Sequence, residues 1–337
     1  MSLPTNATTN NATAKNASTD NSLLEKLMGF REMTLIFIII VISIIVSILS
    51  PNFLTGENLI TTALGLAADG ILAIGMTVVL VSGGVDLSVG SVLSLSAVIA
   101  GGLYLSYGVD IWVGSLIALI VCVLIGLFNG YFIAKIGIPP LIVTLAMMGI
   151  ARGASYVLTQ GSPLSLYGDL KGFDFLGQGR ILGIPFFILF FVFLIIVFDF
   201  LMRKSAPFRL VYYVGSNENA AKLSGINVPK VKIAVYVLMS VLAGIAGIFT
   251  LSRFSVAAPT AGTGSELNAI SACVIGGASL AGGEGTVLGA ILGTILVGII
   301  NNALVLLNVS VYWQNLVSGV ILITAVVIDY ISHQKRS

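Results

Sequence analysis

The sequence predicts an all-α polytopic membrane protein of about ten transmembrane helices with both termini cytoplasmic. Three observations carry that prediction. Hydrophobic residues make up 57% of the 337-residue chain and charged residues only 9%. Long apolar runs recur from Met33 to Ile331. Lys and Arg gather in alternate connections between those runs. A soluble domain carries about 25% charged residues, and this chain has too few to cover an aqueous surface. A bilayer needs no polar cover.

Residues 1–22 are rich in Asn, Thr, Ala and Ser and are expected to be a disordered tail. The N-x-[ST] matches at Asn6, Asn11 and Asn16 arise by chance in such a composition, on the side of the membrane wrong for glycosylation. No signal-peptide pattern precedes the first apolar run, and residues 23–337 are expected to form a single transmembrane domain. A spanning helix needs about 20 mostly apolar residues. Candidates run Met33–Leu49, Asn58–Val81, Leu87–Tyr107, Ile111–Ala134, Leu141–Thr159, Ile184–Met202, Lys232–Ser252, Leu267–Ala281, Thr286–Leu307 and Trp313–Ile331. Pro139–Pro140 marks the start of the fifth. The short, Gly-rich Leu267–Ala281 stretch reads as a partial span.

Orientation follows from the basic residues. With the N-terminus inside, Lys15, Lys26, Arg31, Lys135, Arg203, Lys204, Arg209, Lys222, Lys230, Lys232, Lys335 and Arg336 are cytoplasmic. Only Lys171, Arg180 and Arg253 fall outside, and Arg152 falls within a span. The same asymmetry holds at every loop. Two connections are long: an external one, 160–183, and an internal one, 203–232, with the densest charge in the chain.

Several chemistries lack raw material. The net charge of +2 offers nothing to a polyanion, so no nucleic-acid partner is expected. Cys122 and Cys273 sit in apolar runs without a ligand set, and the sole histidine is His333, so neither a metal site nor histidine catalysis is expected. There is no G-x-x-x-x-G-K-[ST] loop. The chain is therefore read as a non-enzyme binding no cofactor of its own; ATP and Mg, if they drive it, sit on a separate subunit.

The internal loop carries Asn217, Glu218, Asn219, Ala220, Ala221, Lys222, Leu223, Ser224 and Gly225. Ser216 or Asn217 can cap a short helix, Glu218 suits its positive end, and Gly225 suits a left-handed stop. Such an element either docks into a partner's groove or is an ordinary connector. Two Gly-rich breaks, 82–90 and 276–285, share a GG-x-x-L-x-x-G pattern. Interruptions of this kind let backbone line a pathway, or simply make tight turns. Asp86 reads first as a cap for the helix that follows it and second as a pathway group. Gly285, Gly289 and Gly293 permit close helix packing. Asn129, Asn301 and Asn302 can bind hydroxyls or hold helices together, the latter being the commoner role.

Asp69 and Arg152 are the deep charges. Counted along their helices from the outer ends, they lie at depths of about 16 and 12 Å. An isolated charge there costs at least ~2.5 kcal/mol, so an Asp69–Arg152 ion pair between the second and fifth spans is expected. The alternative is a snorkelling arginine with Asp69 bonded to neutral partners.

The stretches SGGVDLSVGS (82–91), GIARG (149–153), GSNENAAKLSGINV (215–228), PTAGTGSELNAI (259–270), GGASLAGGEGTVLG (276–289) and NNALVLLNV (301–309) resemble the permeases of ribose-type monosaccharide ABC importers. Their superfamily also holds branched-chain amino-acid and nucleoside permeases. The resemblance covers nearly everything after residue 50. The first block is the most specific for the monosaccharide branch; ribose looks closest, with arabinose, galactose, xylose and autoinducer-type sugar permeases similar.

The resemblance implies an inner-membrane importer of two permeases, identical or not, with a cytoplasmic ABC ATPase and an extracytoplasmic sugar-binding protein. Residues 217–225 would be the coupling helix, and Ala221→Asp would weaken ATPase binding by a buried charge in a snug groove. Rival readings are a nucleoside or branched-chain amino-acid permease, a stand-alone secondary transporter using Asp69 as its carboxylate, and an integral-membrane enzyme. The last would need clustered catalytic polar residues, and none are visible.

Overall fold

The computed structural model describes residues 31–168 and 170–334. The expected disordered tail, 1–22, lies outside the described residues. Helices α1 (Arg31–Leu49), α2 (Gly56–Val81), α3 (Val89–Tyr107), α4 (Ile111–Tyr131), α5 (Pro140–Thr159) and α6 (Phe186–Lys204) come first. They are followed by α7 (Ala206–Ser216), α8 (Glu218–Leu223), α9 (Val228–Phe254), α10 (Ser265–Ile275), α11 (Val287–Leu306) and α12 (Val311–Gln334). Eight of these are long and apolar enough to cross a bilayer: α1 to α6, with α4 prolonged to Ile136, and α9 and α11. The protein is an all-α polytopic membrane protein.

Capping sets the boundaries. Thr55 and Asp110 accept from the amides of Asn58 and Trp112 at the starts of α2 and α4. Pro140 opens α5, where its missing N–H is no loss. Gly108, at φ +64°, closes α3 in the left-handed conformation. Only short strands accompany the helices. Leu164–Ser165 (β1) pairs antiparallel with Val256–Ala257 (β4), and Arg180–Ile181 (β2) with Ile184–Pro185 (β3).

α9 is the hub, packing on α4, α3, α2 and α7. α2 and α3 are buried over most of their length, whereas α1 is almost wholly outward-facing. Close approach between α9 and its neighbours rests on small residues: a methyl group on Gly126 of α4 would lie 2.5 Å from the Val237 Cα. In lipid, where apolar side chains gain nothing by leaving solvent, such backbone proximity is what holds helices together.

The expected partial span is resolved into two pieces. α10 has only eleven residues, about 16 Å of helix, half of what a bilayer core requires. The other half is the irregular stretch 258–264. After β4 the chain turns inward along α3: Ala257 lies against Gly101, Pro259 meets Ser94, and Gly262 touches Gly90. Gly101 to Gly90 is about 16 Å of helix. Residues 256–275 thus form a broken span, a two-residue strand and a run of turns first and a helix after.

Candidate functional site

Non-helical backbone at membrane depth must have its polar groups satisfied by protein, and the broken span shows how. Ser94 Oγ on α3 donates to the carbonyls of Ala258 (3.2 Å) and Pro259 (2.9 Å). Arg152 Nη1 on α5 donates to the carbonyls of Pro259 (2.6 Å) and Ala261 (2.8 Å). Turns within the stretch, Ala261 N to Ala258 O and Thr263 N to Thr260 O, use up further groups. Thr260 and Thr263 remain exposed, so the stretch presents hydroxyls on its open side.

The N-terminus of α10 is an electropositive end at membrane depth, and two carboxylates meet it. Glu266 Oε1 accepts from Gly264 N (3.2 Å), while its Oε2 is shielded without a partner beside Gly90. Asp69 Oδ1 on α2 accepts from Ser265 Oγ (3.2 Å). Asp69 also lines a small void with Asn268, Ala272 and Thr294.

This corrects the expected Asp69–Arg152 ion pair. No such pair forms; Asp69 serves the α10 terminus, and Arg152 serves two carbonyls, with Glu266 the carboxylate whose field reaches it. The broken span comes to both side chains, with Ser265 at Asp69 and the carbonyls of Pro259 and Ala261 at Arg152. Its carbonyls are stronger claimants on a guanidinium than a distant carboxylate.

α3 starts at Val89 with Ser88 as its N-cap and no side-chain cap bond, which corrects the expected helix cap to a bond within the glycine break made by Asp86. Its Oδ1 accepts from Ser88 N (2.8 Å) and Ser88 Oγ (2.6 Å), fully buried. Asn129 on α4 donates to Ser88 Oγ (3.3 Å), tying the break to α4. Asp86 Oδ2 and Asn129 Oδ1 are shielded acceptors with no donor. Asn302 exchanges two hydrogen bonds with Asn58 (2.9 and 3.1 Å), joining α11 to α2, and the neighbouring Asn301 Oδ1 is shielded and unpaired.

The internal loop is mostly helix. α7 precedes α8, and Pro207 in its first turn and the alternating burial of Val211 and Val214 set it on the protein surface. α8 spans six residues. Asn217 Oδ1 accepts from Ala220 N (2.9 Å), and the far end closes with Ile226 N on Ala221 O (3.1 Å) and Gly225 N on Lys222 O (3.0 Å). Gly225 takes φ +80° there. Glu218 bonds Lys222 (2.7 Å) and Lys232 of α9 (2.6 Å). Those two ammonium groups, Lys222 first, hold the Glu218 carboxyl below its ordinary 4.5.

Ala221 faces inward, packed with Val214 and Val228, so it cannot itself meet a partner. Outward stand Asn217, Asn219, Ala220, Lys222, Leu223, Ser224 and Gly225. Leu223 is 90% exposed, the boldest apolar group of the loop. Sequence reasoning missed Ser94, Ser265, Glu266 and the inward aim of Ala221. The PTAGTG run was the available signal for irregular backbone.

The family described as branched-chain amino acid transport system / permease component matches residues 58–326. The ribose import permease protein RbsC of Bacillus subtilis is 42% identical over 86% of this chain and 89% of its own length. The protein of the same name from Escherichia coli K12 is 39% identical over 89% of this chain and 93% of its own. The L-arabinose transport system permease protein AraH of Escherichia coli K12 is 38% identical over 88% of this chain and 90% of its own. No solved structure matches.

Proposed function

Because the chain belongs to the branched-chain amino acid transport system / permease component family, we propose that it is the permease subunit of an ATP-driven monosaccharide importer, with ribose as substrate. The protein is a multi-pass component of the inner membrane and not an enzyme. Its partners on this reading are a cytoplasmic ABC ATPase, which binds the ATP and Mg, an extracytoplasmic sugar-binding protein and a second permease. The observation that carries the substrate is the identity to the two ribose import permeases along nearly the whole length of each. The arabinose relative is only slightly more distant, so the sugar is the first thing to test.

The geometry supports the division of labour. α8 is a short capped helix, anchored by Glu218 to α9 and presenting Leu223, as a docking element requires. The broken span offers hydroxyls and main-chain carbonyls, groups that suit a polyol passing through. Asp69 is occupied by Ser265 at the α10 terminus, which weighs against its use as the coupling carboxylate of a secondary transporter.

Both termini and residues 203–232 are cytoplasmic on this reading, from the distribution of Lys and Arg. A cysteine at Ser216 is expected to react with an impermeant reagent in inverted vesicles and not in intact cells. For the substrate, uptake of labelled ribose by cells producing the complete importer is expected to depend on this chain. Excess unlabelled ribose should compete it away and excess arabinose should do so poorly. Uptake of labelled ribose that does not depend on this chain, or a dependence seen only for labelled arabinose, an amino acid or a nucleoside, would refute the ribose assignment.

A further inference from the structure

α8 can carry a stroke only if something connects it to the broken spans, and its immediate predecessor touches both glycine breaks. Gly215, two residues before the Asn217 cap, is the penultimate residue of α7. A methyl group there would overlap the Val81 carbonyl and lie 2.8 Å from Gly283 N. A methyl on Gly282 would lie 2.7 Å from Gly215 O and 2.9 Å from the Gly83 Cα; one on Gly283 would lie 2.9 Å from the Ser216 Cα. Gly283 N donates to Val81 O (2.9 Å), and Tyr212, one turn earlier on α7, donates its hydroxyl to Gly285 O (2.7 Å). Three chain segments therefore meet with their backbones in close approach, and the Ser216 Oγ is the side-chain atom that a methyl on Gly283 would meet first.

We propose that this junction of Gly215 with Gly83 and Gly282–Gly283 relays the movement of α8 into α3 and α10, making Gly215, Gly283 and Tyr212 positioning residues for transport. The inference rests on the reading that α8 docks on an ATPase. Its physical basis is stiffness. Side chains at an interface absorb small displacements by changing rotamer, whereas touching backbones transmit them. The outputs are the two discontinuous elements. Beyond Gly83 lie Asp86 and Ser88, which lead into α3, and the 276–286 break joins α10 to α11. α10 in turn bears Ser265 and Glu266 beside the stretch held by Ser94 and Arg152. Gly83, Gly282 and Gly283 have φ of +78°, +90° and +77°, so each break turns through conformations that a side chain would strain.

The test uses the assembled importer, permease with ATPase and binding protein, in proteoliposomes, with ATP hydrolysis and labelled ribose accumulation measured on the same preparation. Tyr212→Phe deletes one hydrogen bond and is expected to lower ribose moved per ATP about threefold. Gly283→Ala forces the junction apart and is expected to lower it about tenfold or more. In both, the ATPase should copurify as in the wild type and hydrolysis should stay within about twofold of it, because neither residue faces the docking surface. An unchanged ribose-to-ATP ratio in both variants would overturn the relay. So would loss of ATPase binding in step with transport, which would make the glycines part of docking. If Gly283→Ala fails to insert, the ratio for Tyr212→Phe decides alone. A wild-type chain that binds no ATPase overturns the functional reading, and the relay with it.

Discussion

Leu223→Asp is expected to abolish copurification of the ATPase and to cut sugar uptake to background, while leaving insertion of the permease intact. Leu223 is 90% exposed at the end of α8, beside Lys222, Ser224 and Gly225. Burying a leucine in a partner's groove contributes about 1.5–3 kcal/mol. Aspartate would lose that and bring a carboxylate into a site where charge is desolvated, adding at least ~2 kcal/mol. Together these weaken binding by about a hundredfold or more. Ala221→Asp is a different experiment from the one the loop sequence suggested. Ala221 packs against Val214 and Val228 within the chain, so a charge there undermines α8 itself and should lower the yield of folded permease. Copurification that survives Leu223→Asp would remove α8 from the docking surface.

Arg152→Gln is expected to have the next largest effect, through the broken span. Two charge-assisted hydrogen bonds are lost, each worth about 1.5–3 kcal/mol. Pro259 O keeps Ser94 as a donor, but Ala261 O has no other side-chain donor among the described residues. Transport should fall about tenfold or more, and the purified protein should melt several degrees lower. Arg152→Lys should recover part of both, since one ammonium can still reach a carbonyl. Asp69→Asn should be mild, because an amide oxygen can still accept from Ser265. Assayed together, Asp69→Asn and Arg152→Gln should give nearly additive losses, as the two side chains share no bond. A double variant much less damaged than the sum would restore the ion pair that the geometry excludes.

The parts of the fold that could be read directly were those set by local chemistry. Apolar runs located eight helices long enough to span, where about ten were expected, because a bilayer tolerates little else, and Asn217 and Gly225 bracketed α8 because cap and stop are short-range devices. The shortness of α10 was visible in the glycines that follow it, Gly276 and Gly277. What failed was placement. A helix depth estimate brought Asp69 and Arg152 level but carried no information on the segment that comes to both of them. The 203–232 loop hid α7, in which only Val211 and Val214 are fully buried while Phe208 and Tyr212 are partly so. The meeting of residues 83, 215 and 283 is a contact among positions far apart in sequence, and glycine patterns alone report only that something passes close.

Import driven by ATP is measured directly by reconstitution. The permease, its ATPase and the sugar-binding protein are placed in proteoliposomes that hold ATP inside, with labelled ribose and binding protein outside. Ribose is expected to accumulate only with ATP and the binding protein present, whatever the proton and sodium gradients. Accumulation by the permease alone, driven by an imposed ion gradient without ATP, would contradict ATP-driven import.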